Sequence, residues 1–264
     1  MTTKFNTSIK QIDKNIKTNS KSNVVWLDEL KHCIFTGKIA IVGGSPSLRT
    51  SIDELKKLKA KGVMIMSVNG SHDYLVDNGI EPDFFAMLDA RKLNDFVNTP
   101  IKSCVYFLAS QCHKDIFNKL KGSNVILWHC EYEEIDKEFI AKEAIKRKVL
   151  GNTLISGKGT IGLTSVCLAY TLGFREFLLY GMDSSFDEIQ HSYEQSQNKE
   201  DKVVELTVGD KVFKTTPALA AQVDTYLKFK DILERSGGKM VVKSNGLLKA
   251  AEDESLKKDK NNLK

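Results

Sequence analysis

No apolar run in this chain approaches the roughly 20 residues that a helix needs to cross a bilayer, so no transmembrane segment is expected. The opening Met1-Thr-Thr-Lys-Phe-Asn6 is followed by no apolar stretch, so a secretory leader is not expected and a cytoplasmic setting is. Cysteine is sparse. Cys33, Cys104, Cys112, Cys130 and Cys167 are odd in number, widely spaced and mostly within apolar stretches, which suits reduced core thiols better than disulfides. No Cys-x-x-Cys or Cys/His grouping has zinc spacing. No internal repeat is present. Neither sign of charge dominates: 39 Lys and Arg against 34 Asp and Glu leave +5. Much of that excess lies in Met1–Asn23 and Leu248–Lys264, which read as solvated ends rather than a nucleic-acid-binding surface. The expected organisation is a polar arm over 1–25, one domain over 26–248 and a charged tail over 249–264.

What is present suits a soluble globular domain. Of 264 residues 41% are hydrophobic and 28% charged, enough for a substantial core. Apolar strand candidates recur at Lys38–Val42, Val63–Val68, Asp83–Leu88, Ser103–Leu108, Asn124–His129, Glu176–Tyr180 and Lys239–Lys243. Several are near-continuous runs of Val, Ile, Leu and Met, as expected of parallel strands covered on both faces. Helical segments alternate with them. One opens at the capping-box spacing Ser51-Ile-Asp-Glu54 and stops at Gly62; others span Ser71–Asn78, Lys114–Leu120, Ile135–Lys148 and Pro217–Arg235. The helix within Gly159–Gly173 is apolar nearly all round and should be buried. This rhythm predicts an α/β fold of Rossmann-like, doubly wound type with a mostly parallel sheet. Val203–Val208, the turn Gly209-Asp210 and Lys211–Thr215 read as a β-hairpin insertion, either a flap over a ligand site or an extension of the edge.

The chemistry should gather at strand carboxyl ends, where open α/β sheets bind ligands. Gly43-Gly-Ser-Pro-Ser-Leu48 follows the first strand, and the helix opened by Thr160-Ile161-Gly162 offers unpaired N–H groups to an anion. Together they point to a nucleotide or another phosphorylated ligand. Gly43–Leu48 lacks the Gly-x-Gly-x-x-Gly pattern, and position 69 is Asn where a dinucleotide fold places an acid, which excludes an ordinary NAD site. Gly151–Thr160 imitates a P-loop, but five residues separate its first two glycines and Gly159 stands where Ser or Thr is required. Asn69, Asp89 and Asp183 each close a strand, suited to a base or sugar edge, a Mg²⁺ ion or a ribose hydroxyl, or else to a turn or cap. His191, in a polar loop just past Asp183, is the histidine best placed to move a proton. His72 is placed either in the site or at a helix start, and His129 reads as a core residue.

These segments carry a resemblance. Ile-Val-Gly-Gly-Ser-Pro-Ser-Leu48, Ser-Val-Asn-Gly70, Gly79–Asp89, Gly159–Asp183, Thr215-Thr-Pro217 and Ser244-Asn-Gly246 look like the MptE-like 6-hydroxymethylpterin diphosphokinase family. That domain is also the core of motility accessory factor (Maf) flagellin glycosyltransferases. The resemblance runs from about Lys38 to Leu248. More distantly, the chain is similar to bacterial sialyltransferases that use CMP-activated nonulosonic acids. Those carry Gly-Asn-Gly-Pro-Ser-Leu where this chain has Gly43–Leu48, an Asn matched by Asn69, and a Thr-Ser-Gly helix start matched by Thr160–Gly162. Their catalytic histidine matches His191 by loop position. The chain departs from them at Ser45 and at Asp89, and Asp89 instead matches the diphosphokinase-like members.

The resemblance implies a nucleotide-dependent transferase with a small-molecule or glycan acceptor. In a glycosyltransferase taking a CMP-sugar, Gly43, Gly44, Ser45, Ser47, Thr160 and Gly162 would hold the phosphate, Asn69 the nucleotide, and His191 and Asp183 would be catalytic. In a diphosphokinase taking ATP, Asp89 and Asp183 would hold Mg²⁺, with Arg91 or Lys158 neutralising charge. A nucleotide-binding module without turnover is the third expectation, because a fold does not fix a function.

Overall fold

The computed structural model describes residues 7–30, 35–92, 95–131, 154–186, 188–189, 191–193 and 202–262. The expected helix at Ile135–Lys148, together with His32 and Cys33, lies outside the described residues. Strands β1 (Val25–Trp26), β2 (Lys38–Val42), β3 (Met64–Val68), β4 (Phe84–Met87), β5 (Val105–Ala109), β6 (Asn124–Glu131), β7 (Leu154–Ser156), β8 (Glu176–Tyr180) and β11 (Lys239–Val242) form one sheet. Its order is β1-β6-β5-β4-β3-β2-β8-β11, with β7 also on β6, and every pairing is parallel. The seven expected strands are all present. β1 and β7 were not foreseen; at two and three residues they are too short to show a period.

The strands read as continuous apolar runs because both faces are covered. In β2, Ile39 and Ile41 enter the larger core, whereas Ala40 and Val42 enter a second core on the other face. Helices α2 (Leu48–Ala60) and α3 (Ser71–Asp77) supply Leu48, Ile52, Leu55 and Leu75 to the second core. Helix α4 (Lys114–Lys119) adds Ile116 to the larger one. So do α5 (Ile161–Thr171) and α6 (Pro217–Arg235), with Leu163, Val166, Leu168, Val223 and Tyr226. Burial of each such Leu or Val contributes about 1.5–3 kcal/mol, which is why α5 needs no polar face.

Three expectations are corrected. Helix α2 starts at Leu48 rather than near Ser51; the Ser51 hydroxyl donates back to the Ser47 carbonyl (3.0 Å) instead of capping. The N-terminal segment is not all solvated arm. Its helix α1 (Ile9–Asn19) buries Ile12 and Ile16, and Asn15 and Asn19 donate to the carbonyls of Ala90, Gln111, Ser110 and Cys112 at 2.7–3.0 Å. The C-terminal segment starts as a docked helix, α7 (Leu247–Asn262), whose buried Glu252 accepts a hydrogen bond from Tyr226 (2.5 Å). The hairpin β9 (Val204–Val208) and β10 (Lys211–Thr215) forms as expected, turning at Gly209 (φ +58°). Among the described residues no helix is long and apolar enough to cross a membrane.

Candidate functional site

The chain winds outward from β2 to β6 on one side, then returns to place β8 and β11 on the other. The strand order therefore reverses between β2 and β8, and the crevice at their carboxyl ends is the topological switch point where such sheets bind ligands. The two loops that leave this point are locked together. The Gly43 amide donates to Tyr180 O (2.8 Å) and the Ser45 amide to Gly181 O (3.0 Å). A Cβ on Gly43 would lie 2.5 Å from the Gly181 carbonyl oxygen, and one on Gly181 would strike the Gly43 carbonyl. Gly181 also has φ +56°, so no other residue fits the place.

Asp183, only 5% exposed, turns its carboxylate onto the first loop. It accepts from the Ser47 amide (2.9 Å) and from the Ser47 hydroxyl. This brings Asp183 and Ser47 together, with the acid acting on the protein's own loop. Asp89 is held in a fork by Arg91: Nε to Oδ1 at 3.0 Å, Nη2 to Oδ2 at 2.6 Å, and the Arg91 amide to Oδ1 at 2.9 Å. The strands that these acids follow, β4 and β8, are three places apart in the sheet, about 14 Å at the usual strand spacing. Both acids are also satisfied by protein donors, and among the described residues no three His, Cys, Asp or Glu side chains gather as metal ligands. Holding Mg²⁺ would require both carboxylates to give up these donors.

Asn69 and His191 are different. Asn69 leaves β3 in the left-handed region (φ +50°), a conformation Asn tolerates better than most residues and one that marks strained functional turns. Its Oδ1 is buried with no hydrogen-bond partner among the described residues. Next to it, Ser71 ties β3 to β2, its hydroxyl donating to Val42 O (2.7 Å) and accepting from the Val68 amide (3.0 Å). His191 Nδ1 is likewise buried and without a partner among the described residues. Burial holds the His191 imidazole below its ordinary pKa, partly offset by the Gly44 backbone.

His191 reaches the site because Ser192 fastens its segment to the first loop. The Ser192 amide donates to Gly44 O (2.8 Å), its hydroxyl to Ser45 O (2.7 Å), and Arg49 Nε donates to Ser192 O (3.2 Å). Tyr193 then lays its ring over Gly44 and Gly70. The opening of α5 closes the other side. Thr160 caps it, its hydroxyl accepting from the Leu163 amide (3.4 Å) and from Gln222 Nε2 (3.0 Å). Gly162 is small because Met182 packs there: a Cβ would meet its Sδ at 3.0 Å. Gln222 Oε1 in turn accepts from Ser184 (3.2 Å), so α6 ties the start of α5 to the end of β8. The hairpin joins here too, Thr215 donating to Ser184 O (2.7 Å).

The structure thus gathers Gly43, Gly44, Ser45, Ser47, Asp183 and His191 around one crevice. Asn69 stands at its β3 side and Thr160 and Gly162 at its α5 side; Asp89 lies one strand farther out, with Arg91. Lys158 points elsewhere, its Nζ 5.1 Å above the Phe229 ring. His72 is fully buried between Asp73 (3.0 Å) and Tyr106 (3.2 Å), and His129 is buried against Ser110 (2.7 Å). Sequence reading missed Gln222 and the use made of Tyr193. Gln222 sits one turn past a strong helix start and carries no local signal; the pairing of an aromatic with Gly44 and Gly70 is visible only in three dimensions.

The sequence profile of the 6-hydroxymethylpterin diphosphokinase MptE-like family matches residues 10–188. No curated relative matches the sequence. Among solved structures, the chain is similar to a Maf glycosyltransferase from Magnetospirillum magneticum AMB-1, at 14% identity and a TM-score of 0.59. That match covers 94% of this chain and 39% of the Maf protein, so the chain spans well under half of that relative. The sialyltransferase CstII from Campylobacter jejuni, solved with the substrate analogue cytidine-5'-monophosphate, aligns at 13% identity and a TM-score of 0.44. It covers 80% of this chain and 82% of its own. A mammalian sialyltransferase aligns at 12% and 0.44, covering 90% and 80%. At these identities the likeness is one of fold.

Proposed function

The chain belongs to the 6-hydroxymethylpterin diphosphokinase MptE-like family, and on that premise we propose that it is a nucleotide-dependent glycosyltransferase. Its donor is a CMP-activated sugar of the nonulosonic acid type and its acceptor a hydroxyl of a surface glycan or protein. The observation that carries this reading is His191: an imidazole at the switch-point crevice whose buried Nδ1 has no partner among the described residues. In the reaction, the acceptor oxygen bonds to the sugar carbon while the bond from that carbon to the CMP phosphate breaks. The phosphate departs with the electron pair, and the acceptor's proton passes to His191 Nδ1. Such a displacement depends on positioning and on stabilising the leaving charge. Backbone N–H groups of Gly43–Ser47 and the α5 start at Thr160–Gly162 suit the phosphate, and Asn69 suits the nucleoside. Asp183 serves by holding Ser47, as a positioning residue.

The family's description favours a second reading, pyrophosphate transfer from ATP to a pterin-like alcohol with Mg²⁺. Against it stands the engagement of Asp89 by Arg91 and of Asp183 by Ser47. Calorimetric titration with CMP, CDP, ATP and GTP, each with and without Mg²⁺, separates the two. Metal-independent, cytidine-selective binding is expected. ATP binding that requires Mg²⁺ would replace this reading with the diphosphokinase, and no binding across the panel would leave a module without turnover.

A further inference from the structure

Gly70 has φ −66° and ψ −7°, a conformation open to any residue, and Gly44 has no positive φ either. Neither glycine is there for its backbone. What each makes room for is one side chain. A Cβ on Gly44 would lie 2.6 Å from Tyr193 Cε1 and 2.7 Å from Cζ; a Cβ on Gly70 would lie 2.5 Å from Cε2 and 2.8 Å from Cζ. The two glycines leave the adjacent strands β2 and β3, so together they open a slot at the carboxyl edge that is shaped for a flat ring. His191 stacks on the Tyr193 ring (centroids 5.6 Å, 19° between planes), and Tyr74 of α3 stands 6.3 Å away.

Tyr193 is an imperfect occupant. The acceptor Oδ1 of Asn69, the residue before Gly70, stays buried and without a partner among the described residues. A buried polar atom without a partner is costly, and a ligand ring whose edge presents an N–H donor to Asn69 Oδ1 would relieve a cost that the Tyr193 hydroxyl, as placed, does not. The segment that carries Tyr193 holds the site through hydrogen bonds of Ser192, all to the first loop and α2. We propose that the slot over Gly44 and Gly70 is the seat of the ligand's planar heteroaromatic ring, and that Tyr193 is an internal competitor which the ligand displaces. This rests on the nucleotide reading above and names what sets its affinity. A slot filled by Tyr193 nine-tenths of the time lowers apparent affinity about tenfold.

The test has two arms. Thermal unfolding of wild type, Gly70→Ala, Tyr193→Ala and the double variant asks whether the ring is in the slot. Gly70→Ala is expected to lower the melting temperature by roughly 5 °C in the wild-type background and hardly at all beside Tyr193→Ala. Calorimetry with CMP and with ATP asks what the ring does there: Tyr193→Ala is expected to bind CMP about tenfold tighter, and Tyr193→Phe, which keeps the ring, like wild type. An equal cost of Gly70→Ala in both backgrounds would show the slot empty and overturn the proposal. Coupled stabilities with weaker CMP binding to Tyr193→Ala would make Tyr193 part of the ligand's own platform, and would overturn the competitor role. Coupling with no nucleotide bound by any variant would sink the nucleotide reading and this proposal with it, while leaving the docking of Tyr193 intact. ATP gaining affinity in place of CMP would uphold the slot and the competitor but overturn the choice of donor.

Discussion

Asp183 takes two hydrogen bonds from Ser47, 136 positions away in the chain, and so fastens the loop after β2 to the loop after β8. Asp183→Asn keeps the size of the side chain and removes its charge. Hydrogen bonds to a charged group contribute about 1.5–3 kcal/mol, and a loss of that order is expected in urea unfolding, together with weaker CMP binding. Combined with Ser47→Ala the losses should be less than additive; additive losses would show that the pair does not act as one unit. His191 gives a pH prediction. Its pKa is lowered by burial, so between the folded value and the ordinary value of about 6.5 the unfolded chain binds more protons than the native one. Stability therefore rises with pH through that window and is lost as pH falls toward the folded pKa. Transferase activity should likewise hold to below pH 6.5 before it declines. His191→Gln should flatten the melting temperature between pH 5 and 7, and an unchanged profile would remove His191 as its source. Asp183 and His191 both stood out in the sequence. That Asp183 would be spent on Ser47, and that His191 would keep a nitrogen free, depends on partners no local pattern names.

At the scale of elements, two glycines of the crevice differ in what opposes them. At Gly181 a side chain meets the backbone of Gly43 and needs a positive φ as well, so nothing nearby can give way. Gly181→Ala should cost about 2–6 kcal/mol, the joint effect of strain and overpacking, and leave little folded protein by circular dichroism. At Gly162 the obstacle is the far end of Met182, a flexible side chain that can swing aside. Gly162→Ala should cost only about 1 kcal/mol by the same measurement; equal losses at the two sites would contradict this account of the crevice. The elements themselves were well marked in sequence, since long apolar runs, Pro217 at a helix start and the Gly209-Asp210 turn act locally. Helix α2 was misplaced at its start for a related reason. Ser51-Ile-Asp-Glu54 has capping spacing, but the chain is already helical at Leu48, and Ser47 uses its hydroxyl on Asp183.

In the whole molecule, α1 is the part most easily misjudged. Deleting residues 7–20 would expose the sites of Ile12 and Ile16, roughly 3–6 kcal/mol of apolar burial, and would strip donors from carbonyls of Ala90, Ser110, Gln111 and Cys112. A fall in urea midpoint of matching size is expected, whereas a solvated arm would leave the midpoint unchanged. The signal was present as Ile9, Ile12 and Ile16 at helical spacing, but three isoleucines among Lys and Asn say nothing of what they dock against. The sequence by itself determined the α/β class, the seven long parallel strands, the hairpin and the strand ends where a ligand belongs. Each of these follows from periodicity, capping and turn chemistry, which act over a few residues. Only the tertiary structure decided that the strand order reverses between β2 and β8, and that Asp89 is engaged by Arg91 and Asp183 by Ser47. It also decided that Tyr193 fills the slot over Gly44 and Gly70. These depend on which distant segments become neighbours, and that is set by burying both faces of one sheet at once rather than by any stretch of chain alone.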